Sequence, residues 1–190
     1  VHGDGLFLVS LLLTAFGSGF YHLAPDNASL MWDRLPIALA CAGLLAAVRT
    51  ETVPGADGKK TTAWLALFAV ASVGWWYFTD RQGADDLRPY LFMQGLPLVL
   101  IPMWQAIYHA PRADRLASGA ALLLYVVAKF AELHDYELFA ALGVMSGHTL
   151  KHLLATATAG VLVDRVIQRT RQPDAMLALH GFHEEKLSRN

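Results

Sequence analysis

The chain has 190 residues, of which 55% are hydrophobic and only 16% charged, with a formal net charge of −1. Soluble domains carry about 25% charged residues, so a water-soluble globule fits poorly, and the charge balance offers nothing to a nucleic acid. A single cysteine, Cys41, excludes an intrachain disulfide and a cysteine-based zinc cluster.

The apolar residues come in long runs rather than stripes, and a bilayer core asks for about 20 mostly apolar residues per helix. With their flanks, the runs predict six spans at 4–24, 29–49, 61–79, 89–109, 115–134 and 137–165. Barrel strands are a poor alternative, because the runs are rich in Leu and Ala and lack strict alternation. The expected fold class is therefore an all-α integral membrane protein, with a helical membrane domain at 1–171 and a polar tail at 172–190.

Span one begins without a basic region and carries Gly17-Ser18-Gly19 and His22, so it reads as a structural helix and not as a cleaved signal peptide. The initial Val fits either a start codon read literally or a chain with sequence upstream. A tight turn, Ala24-Pro25-Asp26-Asn27, leads into span two with Trp32, Asp33 and Arg34. Span three ends in Trp75-Trp76-Tyr77, which with Trp32 forms an expected outer aromatic belt, while Trp64, Trp104 and Tyr108 form an inner one. Asp86 and Arg88 are expected to cap span four, and Pro97 and Pro102 to kink it. Lys129 and Glu132, three apart on span five, are expected to pair, and His134-Asp135 to be a solvated turn. Span six holds His148 and His152, whereas His180 and His183 in the tail are expected to be exposed.

Basic residues concentrate on alternate sides: Arg49, Lys59, Lys60, Arg112, Arg115 and the residues after span six, against Arg81 and Arg88. The positive-inside rule then puts the C-terminus in the cytoplasm.

Ionisable groups within a span are expensive and mark function by default. Ser18 and His22 are four apart and share a helix face, as do His148 and His152. Asp33 follows His22 by eleven residues, across the tight turn, so both lie at similar depth on adjacent antiparallel helices. A continuous sixth span places His148 roughly 17 Å into its helix, at 1.5 Å per residue. Each residue also has a plainer reading. A histidine pair can bond backbone carbonyls or bind haem or chlorophyll, Ser18 can be a small packing residue, and Asp33 beside Arg34 fits an interfacial ion pair. Three imidazoles would leave zinc one open position, as a hydrolytic site requires.

In combination, Ser18-x3-His22, then Asp33, then His148-x3-His152, resembles the alkaline ceramidase family, in the CREST group of seven-span membrane hydrolases. The stretches GSGFYHLAPDN at 17–27, WDRLP at 32–36, DLRPY at 86–90 and SGHTLKH at 146–152 resemble bacterial members, and the likeness covers most of residues 5–165. The resemblance implies zinc on His22, His148 and His152, with Asp33 shuttling the proton of the attacking water and Ser18 bonding the developing oxyanion. It implies a membrane lipid substrate, a ceramide or ceramide-like N-acyl lipid cleaved to a fatty acid and an amine base, and residence in a bacterial inner membrane. It also implies seven spans, the first preceded by an acidic segment that binds calcium in the animal enzymes. The six spans here correspond to that bundle lacking its first helix, which puts calcium dependence in question and leaves a face for a protein partner. A non-catalytic ceramidase-like subunit of a larger membrane complex is the alternative expectation, and a haem or pigment protein a third.

Overall fold

A computed structural model describes residues 2–188, with side chains described for 2–171; His180 and His183 lie outside the latter. Among the described residues it is all α, with seven helices and no strand. They are α1 (His2–Leu23), α2 (Asn27–Thr52), α3 (Gly58–Asp80), α4 (Arg88–Ile107), α5 (Arg112–Leu133), α6 (Asp135–Leu142) and α7 (Gly147–Ser188). Two compact units divide the chain, Val1–Arg115 and Leu116–Asn190.

Five helices, α1 to α5, are long and apolar enough to cross a membrane. Their outward faces carry large apolar side chains, such as Leu12 and Phe16 on α1, Trp64 on α3, Phe92 on α4 and Phe130 on α5. In water such surfaces would aggregate, whereas in a bilayer they meet lipid, so these helices are those of a membrane protein.

In the first unit α2 packs against α1, α3 and α4. Its buried residues are mostly small, including Ala38, Ala42, Gly43, Ala46 and Ala47. Within lipid there is no hydrophobic drive between helices, so close backbone approach over small residues is what gains packing energy. The α1–α2 turn is fixed by a capping box. The Asp26 carboxylate accepts the Ser29 N–H at 2.5 Å, Ser29 Oγ accepts the Asp26 N–H at 3.0 Å, and Ser29 Oγ donates to Ala24 O at 2.7 Å. Accepting the Ser29 amide holds the Asp26 carboxyl below its ordinary value.

A polar collar closes the same end of this unit. Asn27 Nδ2 donates to both oxygens of Asp80 at 2.9 and 3.0 Å, tying the start of α2 to the end of α3. Asp86 accepts the Trp75 indole at 2.9 Å and a two-pronged contact from Arg88 at 2.8 and 2.9 Å. It also accepts the Arg88 backbone N–H at 3.1 Å, so the expected cap of α4 forms. Trp76 departs from its expected place in the aromatic belt. It is 1% exposed, and its indole donates to Asp85 at 2.6 Å. Pro97 and Pro102 both lie inside α4, Pro97 buried and Pro102 exposed.

The second unit corrects the expected sixth span. The stretch 137–165 is not one helix: α6 ends at Leu142 with Gly143 in the left-handed region (φ 71°), and α7 begins at Gly147. Ser146 starts α7, its Oγ accepting the Thr149 N–H at 3.2 Å. A glycine stop followed by a serine start outweighs the apolar run that suggested continuity. His148 is therefore the second residue of its helix, and the 17 Å depth expected from an unbroken span does not hold.

Candidate functional site

In the first unit, His22 lies in the last turn of α1, exposed, with its ring 5.4 Å from that of Tyr21. One turn earlier Ser18 follows Gly17, and Gly17 is where α1 and α2 come closest to the site. A Cβ on Gly17 would run into the Trp32 carbonyl and stand 3.4 Å from the Asp33 Cα. Glycine at 17 therefore brings the Ser18 and Asp33 segments side by side, while Gly19 faces open space. Ser18 and Asp33 are both half-buried, and neither makes a hydrogen bond or ion pair among the described residues.

The plainer reading of Asp33, an ion pair with Arg34, is not what forms. Arg34 lays its guanidinium over the Trp76 ring, 3.9 Å from the centroid, and reaches Tyr90 at 5.6 Å. Adjacent residues on a helix point about 100° apart, so Asp33 and Arg34 serve different neighbours.

In the second unit the two histidines are one turn apart, with His148 Nε2 and His152 Nε2 3.0 Å from each other and the rings at 76°. Zinc–imidazole bonds are about 2.0–2.1 Å, so a tetrahedral ion holds two such nitrogens ~3.3 Å apart. The observed separation fits that donor set with a small adjustment. As a mutual hydrogen bond the contact needs one Nε2 protonated; as a metal clamp it needs both Nε2 atoms bare, with the protons on Nδ1.

Three contacts fix the pair. Asp135 Oδ1 accepts the His148 backbone N–H at 2.5 Å, capping α7. Gly147 packs so tightly that a Cβ there would strike the Ala131 carbonyl and come within 2.7 Å of the Asp135 Cα. Lys151, between the histidines, pairs with Glu132 at 2.9 Å, and Lys129 takes the other Glu132 oxygen at 2.9 Å. The expected Lys129–Glu132 pair thus forms, enlarged by a second lysine. Asp135 is exposed, as a solvated turn residue would be, and in addition caps the helix start that carries the pair. His134 is half-buried, its Nδ1 3.0 Å from Phe130 O and its ring stacked on Phe130.

Sequence reasoning therefore missed Asp135, Lys151 and Arg34. The signal for Lys151 and Arg34 was a charge within an apolar run, which demands a partner. Asp135 opens α6 and lies thirteen residues before His148, too far in sequence for a local capping signal. Comparison of the chain with family models, with curated proteins and with solved structures gives no match.

Proposed function

We propose that the chain is a zinc-dependent intramembrane lipid amidase, resembling the alkaline ceramidases and acting on ceramide or a ceramide-like N-acyl lipid. The observation that carries this reading is the His148–His152 contact, two ring nitrogens 3.0 Å apart on a helix start pinned by Asp135. In this reading, which rests on the resemblance, His22 is the third ligand beside His148 and His152, each offering one ring nitrogen. In this reading α7 is the sixth span, the helices correspond to spans of the CREST fold, and the C-terminus is cytoplasmic in a bacterial inner membrane.

A zinc ion, when bound, supplies Lewis-acid polarisation of a carbonyl and a water acidified to a pKa of about 7. The chain's own residues supply the rest. The Asp33 carboxylate accepts the proton of the attacking water and returns it to the amide nitrogen as that bond breaks. Ser18 Oγ–H donates to the carbonyl oxygen as negative charge develops on it. A site within the membrane suits a substrate that never leaves the bilayer.

Asp33→Asn separates the two roles. The variant is expected to retain zinc at the wild-type level and to lose about 100-fold or more in ceramide hydrolysis, the scale of general acid–base catalysis. Full hydrolysis by this variant would overturn the role given to Asp33. Stable co-purification with another membrane protein, without turnover, would favour the non-catalytic subunit.

A further inference from the structure

Arg34 has no anionic partner among the described residues. Among the described residues its only interactions are the stacking contacts with Trp76 and Tyr90, and its Nη1 is buried without a hydrogen-bond partner. The residue lies in the N-terminal part of α2, a helix long and apolar enough to cross a membrane, eight residues after the Asp26 cap, and is half-buried as a whole.

An aromatic face attracts a guanidinium but leaves its in-plane N–H groups unbonded, since the cation–π contact is made perpendicular to that plane. An unneutralised charge in a low-dielectric setting is costly, so natural proteins rarely retain one without a use for it. The acids of the α3–α4 end are engaged elsewhere, Asp85 with the Trp76 indole, Asp86 with Trp75 and Arg88, and Asp80 with Asn27, and the adjacent Asp33 makes no ion pair with Arg34 among the described residues. The planar fork of an arginine matches the paired oxygens of a phosphate or carboxylate.

We propose that Arg34, backed by Trp76 and Tyr90, is a receptor for an anionic oxygen group, the phosphate of a membrane lipid headgroup. Stacking on Trp76 holds the fork rigid and in one plane, so the anion meets a preorganised site. All three residues belong to the first unit, at the end that carries the collar. Arg34 is the chain neighbour of Asp33 but faces Trp76 and Tyr90, and anion binding there does not depend on zinc or on hydrolysis.

The test is thermal unfolding of the full chain in detergent with added lipid. Phosphatidylglycerol is expected to raise the wild-type melting temperature by about 4 °C, as ligand linkage predicts for a bound anion, and phosphatidylcholine of the same acyl chains to leave it unchanged. Arg34→Gln should abolish the phosphatidylglycerol shift, whereas Arg81→Gln, at an exposed arginine, should keep it. Arg34→Lys keeps the charge without the fork and should retain less than half of the shift. Inorganic phosphate giving the same Arg34-dependent shift would keep the anion site and assign it a soluble source. Equal wild-type responses to the two lipids, a comparison that needs no variant, would overturn the proposal. A phosphatidylglycerol shift that survives in Arg34→Gln would do the same.

Discussion

Two regions hold the candidate catalytic groups by different physical means. Ser18 and Asp33 are placed by packing: Gly17 lets α1 sit against the Trp32 carbonyl, and no polar contact among the described residues holds either side chain. His148 and His152 are placed by polar contacts, the Asp135 cap and the Glu132 pairs with Lys129 and Lys151. Packing without hydrogen bonds leaves a serine hydroxyl and a carboxylate available for chemistry. A ligand pair needs the opposite, a backbone fixed firmly enough that two ring nitrogens stay 3.0 Å apart.

The largest break of this comparison should come from the packed side. Gly17→Ala drives a methyl group into the backbone of α2, and helix separation should cost about 1–3 kcal/mol and misplace Ser18 and Asp33 together. Gly19→Ala, where a Cβ meets nothing within 4 Å, is the control and should leave melting and turnover unchanged. Equal effects at both positions would mean that close approach is not what sets the site.

On the polar side, Glu132→Gln leaves two lysines without their shared counter-charge. Glu132 is 35% exposed, so solvent tempers the penalty, and a loss of about 1–2 kcal/mol is expected by thermal melting. Because Lys151 lies between the two proposed ligands, zinc affinity should fall by about 10-fold or more, the range for partners that orient ligands. An unchanged zinc titration would confine Glu132 to a structural role.

The smallest effect sharpens the contrast within the first unit, whose polar contacts sit in the collar. The Arg88 guanidinium and the Trp75 indole hold the Asp86 carboxyl well below its ordinary value of 3.8. The folded state thus favours the charged form. Its contribution is complete above that value and is lost as pH falls further, toward the folded-state value. Melting of the wild type should therefore drop on acidification below about pH 4, and Asp86→Asn should flatten that part of the curve. An identical acid profile in the variant would contradict the assignment.

Much of this architecture was legible in the sequence, because lipid imposes long apolar runs. The first five spans fall within a few residues of α1 to α5. The break between α6 and α7 was written in Gly143 and Ser146, but an apolar run of helical length masked two local signals. Long-range partners were not legible. Nothing in the spacing of Glu132 and Lys151, nineteen residues apart, announces a pair, and the nearest acid to Arg34 in sequence, Asp33, forms no ion pair with it, the guanidinium lying over Trp76 instead. Trp76 looked like an interfacial anchor because composition cannot tell a lipid-facing indole from one buried under a guanidinium.

The most direct test of the central proposal is the metal content of the detergent-purified chain, wild type beside His148→Ala. About one zinc per wild-type chain, lost in the variant, is the predicted result, since removing one of the three proposed ligands would leave too few to hold the ion. Zinc-free wild-type protein, or zinc retained in full by His148→Ala, would contradict it.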